Sequence, residues 1–308
     1  MCGTDKALIV TPFFRPNVGG AETFAEDLGK ALAKKYIVHI CTIKWKKPIL
    51  WQGMNFAKSI YLLLKMARPL FRMNWKYKYE RVYALGLMPS FLCCLFGMKF
   101  STVILALYDF KRPNWFTFIL NRADKVYVEG LRGKEDMINV GVKESKIVVF
   151  QHWCDQTRFY YKDRPNVNLK VLFVGRPIRI KGKHVIEMCE KMTKGIDYEY
   201  IENVAYSELP KFYQMADVCV VPSLYSEGFS RVVIESASCG CALVTSNKGA
   251  LPEMVSKFGK CIEPTASNFA EILMKLRNRT IVEKIQVDTA LYAKEHFSED
   301  NANCFLLP

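Results

Sequence analysis

Short apolar runs alternate with longer amphipathic segments along much of the chain. Ala7 to Thr11 is the first such run, and after a loop that contains glycine the apolar side chains recur at helical spacing from Ala21 to Leu32. A second run, rich in β-branched residues, spans Tyr36 to Thr42. The order strand, loop, helix, strand is typical of a βαβ unit, and such units build parallel sheets.

The same pattern continues for about half of the chain. Further strands are predicted at Arg81 to Ala84, Thr102 to Leu107, Asp124 to Glu129 and Lys146 to Phe150. A domain of this kind needs about 150 residues, so the pattern predicts a Rossmann-like domain over residues 1–155.

A polar segment separates this domain from a second series of apolar runs. Residues 155–169, DQTRFYYKDRPNVNL, have no apolar periodicity and are interpreted as a linker. Strands are then predicted at Lys170 to Val174, Tyr198 to Ile201, Val218 to Val221 and Ala242 to Thr245. The predicted fold class is α/β, with two Rossmann-like domains facing across a cleft: residues 1–155, residues 166–280, and a carboxyl-terminal helix and tail at 281–308.

The charge is uneven. The formal net charge is +14, and the window from Lys44 to Arg81 contains ten basic residues and a single acid, Glu80. Because apolar residues recur at helical spacing within this window, it predicts a basic amphipathic helix that lies on an anionic membrane surface. A solvated basic edge is the alternative. A nucleic-acid partner is not expected, because no recognition motif accompanies the window.

Two further features concern the compartment and the membrane. The eleven cysteines have no metal-ligand spacing, which predicts a reducing, cytoplasmic location and no metal site. The basic window adds the expectation of peripheral attachment to the inner membrane face. Val82 to Met98 lacks charge over seventeen residues, near the lower limit for a membrane span, but its first part is predicted as a strand.

Ligands of parallel α/β folds bind beyond the carboxyl ends of the strands, so the loops at these ends are the candidate sites. In the first loop, Gly19 and Gly20 precede a predicted helix start, where free N–H groups favour a phosphate or a sugar hydroxyl. In the second loop, GRPIRIKGKH, Arg176 and Lys181 are cations suited to a diphosphate. Either loop taken alone is also compatible with an ordinary turn.

The third loop, SEGFSRVVIE, holds two carboxylates eight positions apart. Glu227 is predicted in the loop and Glu235 in the helix that follows, with Ser230 as its N-cap. The N–H groups of Gly228, Phe229 and Ser230 are expected to point outward and neutralise a phosphate. For Glu235, an exposed helix carboxylate paired with a lysine is the alternative. Together the loops fit a nucleotide-diphosphate sugar, which has ribose hydroxyls, two phosphates and a polyhydroxy ring.

These residues resemble a known family. PSLYSEGFSRVVIESASCGCALVTS with GALPEMV resembles the donor-binding segment of GT-B retaining glycosyltransferases of the family-four type. VGRPIRIKG, FFRPNVGGAE and ADKVYVEGLRGKEDMINVGVKESKIVVF resemble other segments of the same family, and the likeness covers most of residues 7–265.

The resemblance implies roles for individual residues. Arg176 and Lys181 would contact the donor diphosphate, Glu235 the ribose and Glu227 the donor sugar, while Gly20, Phe229 and Ser230 would complete the pocket. It also implies a metal-independent hexosyltransferase without a cofactor, which moves a sugar from a nucleotide-diphosphate sugar to a glycan or lipid-linked hydroxyl with retention. Glu22 would face the acceptor.

The sequence departs from the family pattern in places. Tyr108-Asp109 stands where the family usually has His-Asp, so Asp109 or the Tyr108 hydroxyl would have to replace a contact with the donor sugar. QHWCD, residues 151–155, replaces an asparagine-glycine turn. A sugar-nucleotide epimerase of similar fold and a catalytically silent binding protein therefore stay open as alternatives.

Overall fold

The computed structural model describes residues 5–12, 14, 19–43, 56–105, 114–164 and 167–307. The chain forms two compact units. The first comprises residues 1–150 and 302–308, and the second comprises residues 151–301. These limits differ from the predicted domains at both ends of the second unit.

The first unit is a parallel α/β unit, and the described residues before 151 form eleven α-helices and strands. In chain order they are β1 (Lys6–Val10), α1 (Gly20–Ala33), β2 (Ile37–Cys41), α2 (Phe56–Lys76), β3 (Arg81–Leu85), α3 (Leu87–Leu95), β4 (Ser101–Ile104), α4 (Asn114–Arg122), β5 (Val126–Glu129), α5 (Gly130–Asn139) and β6 (Ile147–Phe150). The sheet has the order β2-β1-β3-β4-β5-β6, and its described pairings are parallel.

The described residues of the second unit repeat this architecture with a five-stranded sheet. Its elements are β7 (Leu169–Val174), α6 (Lys183–Met192), β8 (Ile196–Ile201), α7 (Leu209–Met215), β9 (Val218–Val221), α8 (Arg231–Ser238), β10 (Ala242–Ser246), α9 (Leu251–Val255), β11 (Gly259–Ile262), α10 (Ala266–Leu276) and α11 (Arg279–His296). The sheet order is β11-β10-β9-β7-β8, again parallel. The last helix, α12 (Asn303–Leu306), belongs to the first unit.

Each unit buries apolar side chains on both faces of its sheet, which is why the strands appear in the sequence as continuous apolar runs. In the first unit, side chains of α2, α3, α4 and α5 enter one hydrophobic cluster. On the other face of the sheet, the ring of Phe305 on α12 contacts one ring on α1 and three on the strands β3, β5 and β6. Phe305 therefore joins the end of the chain to the first unit.

The segment predicted as a linker is part of the second core. Phe159 is fully buried and its ring packs near Tyr206 and Tyr213. The buried Arg164 guanidinium donates to carbonyl oxygens at the ends of two helices, those of Gln214, Gly240 and Cys239. A cation at a helix carboxyl end is stabilising, so these residues fix the segment onto the unit.

None of the helices in the described ranges is long and apolar enough to cross a membrane. Within Val82 to Met98, the structure forms the strand β3 and the nine-residue helix α3.

The buried cysteines predict a loss of stability at alkaline pH. Burial raises the pKa of the Cys41 and Cys241 thiols from 9.0 to about 11, so both thiols hold their protons in the folded chain at a pH where the unfolded chain has released them. This stabilisation is complete below pH 9 and is lost as the pH rises through 11. We expect the free energy of unfolding to fall over this window by on the order of 2 kcal/mol per thiol.

Urea unfolding at a series of pH values measures this effect. The Cys241→Ala variant should show a shallower decline than the wild type, whatever its stability at neutral pH. A decline of the same steepness in both would contradict the assignment.

Candidate functional site

The candidate site lies at the point of the second sheet where the strand order reverses. From β7 the chain moves outward to β8, and it then returns to the other side of β7 to form β9. The loops that follow β7 and β9 therefore leave neighbouring strands in opposite directions and open a crevice at their carboxyl ends. These are the two loops that carry Arg176, Lys181 and Glu227.

A three-residue cluster occupies this position. The Lys181 ammonium forms an ion pair with Glu227 Oε1, and the Ser223 hydroxyl donates to the same oxygen at 2.5 Å. Both charged side chains are partly buried, with 26% and 18% of their side-chain surface exposed. The structure thus brings together two of the predicted catalytic residues and adds Ser223, which the sequence had not indicated.

Backbone contacts hold the two loops against each other. The Leu224 N–H donates to the Ile180 carbonyl at 2.8 Å. Gly182 has a positive φ of 76°, and a Cβ there would lie less than 3.0 Å from the Pro222 carbonyl oxygen. Only glycine allows so close an approach, so Gly182 fixes the distance between the Lys181 and Glu227 backbones.

A third loop, after β10, supports Glu227 from the other side. The Ala250 N–H donates to the Glu227 carbonyl oxygen at 2.8 Å. Gly249, at φ 65°, is so close that an added Cβ would lie under 3.0 Å from both the backbone nitrogen and the carbonyl oxygen of Glu227. Gly249 is therefore a positioning residue for Glu227. The sequence signal that could have indicated this role is the position of Gly249 in GALPEMV, just before a helix with proline in its first turn.

The remaining cations of the second loop have different surroundings. Arg176 follows β7 and is exposed to solvent. Lys183 instead pairs with Glu202 at 3.1 Å and with Glu187 at 3.5 Å, and hydrogen bonding to Glu202 raises the pKa of its ammonium. Lys183 is thus engaged by two carboxylates, whereas Arg176 is accessible to an anionic ligand.

Glu235 lies in a buried network, which differs from the alternative interpretation of an exposed carboxylate paired with a lysine. Only 2% of the residue is exposed. Oε1 accepts hydrogen bonds from the Arg231 guanidinium at 3.2 Å and the Tyr206 hydroxyl at 3.0 Å, while the Tyr213 hydroxyl lies 3.4 Å from Oε2.

Arg231 extends this network to the start of the second unit. It donates to the Trp153 carbonyl at 2.9 Å and to the Tyr206 hydroxyl at 2.9 Å. The carboxylate of Glu235 is thus neither exposed nor paired with a lysine. The sequence signal that was missed is the spacing of four between Arg231 and Glu235, which favours a pair on one helix face.

The turn before α8 differs from the expected anion cradle. Ser230 occupies the N-cap position as predicted, but its side chain makes no capping hydrogen bond. Its N–H is directed inward and donates to Met254 Sδ at 3.2 Å. Gly228 is buried, and the Phe229 ring stacks on the His152 imidazole with centroids 5.8 Å apart. The Ser230 N–H is therefore not presented to a phosphate.

The other predicted residues belong to the first unit. The helix α1 begins at Gly20, and Gly19 is its N-cap residue, with a carbonyl that accepts from Thr23 at 3.0 Å. A Cβ on Gly19 would meet the Glu22 carboxylate, so this carboxylate folds back over the turn. Asp109 and Tyr108 lie outside the described residues.

The fold and this cluster define the class of protein. The chain is an α/β protein with two Rossmann-like units, and a lysine, a serine and a glutamate meet at the switch point of the second sheet. Residues 160–294 match the model of the family Glycosyl transferases group 1. This match lies within the second unit, and the predicted resemblance to the family is confirmed.

Known proteins agree with this assignment. Over 117 residues, 37% of this chain, the sequence is 32% identical to the O-antigen chain mannosyltransferase B of Escherichia coli, and the match spans only 30% of that protein. Sucrose-phosphate synthase of Thermosynechococcus elongatus has a similar fold, with a TM-score of 0.82, 17% identity and coverage of 98% of this chain and 97% of that chain.

Anabaena HepE, solved with UDP-glucose, is similar in fold as well, with a TM-score of 0.77, 15% identity and 98% coverage of both chains. At such identities the likeness concerns the fold, which is that of GT-B glycosyltransferases.

Proposed function

We propose that the chain transfers a hexosyl group from a nucleotide-diphosphate sugar to a hydroxyl acceptor, with retention at the anomeric carbon. The observation that carries the proposal is the contact of Lys181 and Ser223 with Glu227 at the switch point of a group 1 glycosyltransferase domain. Crevices at this point of parallel sheets are where nucleotides bind.

Each residue has a task that its chemistry suits. Arg176 and Lys181 would contact the diphosphate and stabilise the negative charge that develops on it as the sugar departs, which is the electrostatic form of catalysis. Glu227, anchored by Ser223 and by the backbone of Ala250, would accept hydrogen bonds from sugar hydroxyls. Since these cations already neutralise the leaving group, we propose that neither metal nor cofactor takes part.

Glu235 receives a modified role. Its three hydrogen-bonding neighbours and its burial support a task in holding α8 against Trp153 and Tyr206. A direct contact with ribose would require the carboxylate to become accessible, because only 2% of Glu235 is exposed.

The acceptor is proposed to be a glycan or a lipid-linked saccharide. The basic window 44–81 supports this, because a chain held at an anionic membrane surface reaches acceptors embedded there. Gly19 and Gly20 are still proposed to line the nucleotide-sugar pocket, and Asp109 is still proposed to contact the donor sugar.

Nucleotide binding is the direct test of the donor site. We expect a screen of nucleoside diphosphates and their sugars to identify a ligand that raises the melting temperature, since a ligand at about 100 times its Kd stabilises by about 2.7 kcal/mol. Arg176→Ala should weaken the binding of that ligand about tenfold, because one charge-assisted hydrogen bond contributes about 1.4 kcal/mol.

The matched control is Lys191→Ala, which removes an exposed cation near the far end of α6 and should leave the affinity unchanged. Equal affinities in all three proteins would overturn the proposed donor site. With a donor identified, product analysis separates the alternatives: an isomerised nucleotide sugar formed without acceptor indicates an epimerase, and tight binding without turnover indicates a binding protein.

A further inference from the structure

The helix α2 has a continuous outward face with an unusual composition. From position 61 onward, where its side chains are described, the exposed ones recur at helical spacing, at positions 61, 64, 65, 68, 71, 72, 75 and 76. Half of them are large and apolar or aromatic, namely Tyr61, Leu64, Phe71 and Trp75. Trp75 is 87% exposed and Leu64 is 68% exposed, so these side chains stand clear of the protein surface.

The inward face of the same helix forms the packing contact with the domain. Leu62, Met66 and Leu70 are buried in the hydrophobic cluster of the first unit, with Leu63 and Ala67 packed at its margin. The apolar periodicity that predicted a membrane-binding face from the sequence therefore includes core residues. The outward apolar row is a separate one, shifted around the helix axis.

The apolar surface continues onto the next two helices. The helix α3 packs against both α2 and α4, and the Phe71 ring meets the Phe96 ring edge-on, with centroids 5.7 Å apart. Both neighbours expose large apolar side chains in turn: Phe91 and Leu95 on α3, Trp115 and Phe118 on α4. Large exposed apolar patches of this kind mark interaction sites.

The charges on these helices have a single sign. The sequences of α2, α3 and α4 contain no aspartate or glutamate. The outward face of α2 carries a basic row beside the apolar row, formed by Lys65, Arg68, Arg72 and Lys76. An anionic partner is the complement of such a surface.

We infer that the outer face of α2, together with the exposed residues of α3 and α4, docks the chain on an anionic lipid bilayer. Aromatic rings enter the headgroup region, where their amphipathic character suits the interface, while the basic row contacts lipid phosphates. A helix of 21 residues lies along the surface for about 30 Å. This inference deepens the proposed membrane partner but does not depend on sugar transfer.

Vesicle flotation with the full chain tests this docking. We expect flotation with vesicles of phosphatidylcholine and phosphatidylglycerol, reduced at high salt and weak with phosphatidylcholine alone. Each basic residue near an anionic surface contributes about a factor of five, so Arg68→Glu with Arg72→Glu should lower the partition coefficient by at least about 30-fold. Trp75→Ala should lower it several-fold on both kinds of vesicle.

The controls match these variants in charge and size. Lys194→Glu with Lys257→Glu makes the same change of net charge on exposed residues of the second unit, and Leu291→Ala removes an exposed apolar side chain there. Both should float as the wild type does. Equal losses in the controls, or salt-independent binding to neutral vesicles, would overturn the inference.

Two further measurements keep the outcomes distinct. Nucleotide binding should be the same in the wild type and in the α2 variants, which shows that they fold. A chain that binds nucleotide but no vesicle would overturn the docking and leave the proposed donor site standing. A chain that binds vesicles but no nucleotide would overturn the donor site and leave the docking standing. A lipid-free dimer that Trp75→Ala dissociates would assign the surface to a second copy of the chain instead.

Discussion

Replacing Glu227 by glutamine is expected to lower sugar transfer by about 10³-fold and, at the same time, to tighten the binding of the nucleoside diphosphate product. The first effect follows from the proposed contact with the donor sugar, since the loss of one preorganised electrostatic group typically costs 10²–10³ in rate. The second effect follows from the ion pair of Glu227 with Lys181.

The ion pair means that Lys181 is already neutralised when the site contains no diphosphate. An incoming diphosphate must share this ammonium with the carboxylate, and the two anions repel each other. Glutamine keeps the shape and can still accept the Ser223 hydrogen bond, but it removes the negative charge. Because both side chains are partly exposed, solvent screens the gain, and we expect an affinity increase of about three- to tenfold.

Calorimetric titration of the wild type and Glu227→Gln with the nucleoside diphosphate measures the affinity, and initial rates of product formation measure the transfer. Glu271→Gln is the matched control, because Glu271 forms an exposed ion pair with Lys275 at 2.6 Å on α10. It should change neither quantity. A Glu227→Gln protein that transfers normally, or that binds the diphosphate more weakly, would contradict the proposed arrangement.

The apolar runs were sufficient to predict both sheets, because buried parallel strands need apolar side chains on both faces. Predicted and observed strands agree to within one or two residues at Arg81 and at Val218, for example. The strand β11 was missed, since GKCI is short and has no periodicity that separates it from a loop.

Contacts between distant parts of the chain were not predictable in the same way. Phe159 looked like part of a polar linker, because its burial depends on Tyr206 and Tyr213, some fifty residues away in the chain. Docking of Phe305 on the first unit has a similar origin, in the complementary shape of rings on β3, β5 and β6. A single sequence does not reveal such complementarity.

Among the site residues, too, some positions could be predicted from the local sequence pattern, whereas others depend on distant parts of the chain. Lys181 and Glu227 could be proposed as neighbours because both follow strands at the same edge of a parallel sheet, and their loops do meet in the structure. The burial of Glu235 depends on tyrosines contributed by other segments, so its environment could not be predicted from the helix alone. Gly182 and Gly249 act through the backbone, and their importance emerged only with their φ angles and neighbours.

Gly249→Ala is expected to destabilise the second unit by roughly 3 kcal/mol or more and to weaken nucleotide-sugar binding at least about 100-fold. Alanine is strained at a φ of 65°, and its Cβ would also overlap the backbone of Glu227. Unlike the end of a flexible side chain, this backbone cannot move without carrying the Glu227 carboxylate away from Lys181 and Ser223.

A second glycine variant, Gly97→Ala, separates the effect of backbone strain from that of displacing Glu227. Gly97 has a φ of 62°, and an added Cβ there meets nothing within 4 Å. Gly97→Ala should therefore cost only about 1 kcal/mol, the conformational penalty alone, and should leave nucleotide binding intact. Urea unfolding and titration with the nucleotide sugar measure both quantities. If Gly249→Ala proved no more costly than Gly97→Ala and bound the donor normally, the contact of the third loop would not be what positions Glu227.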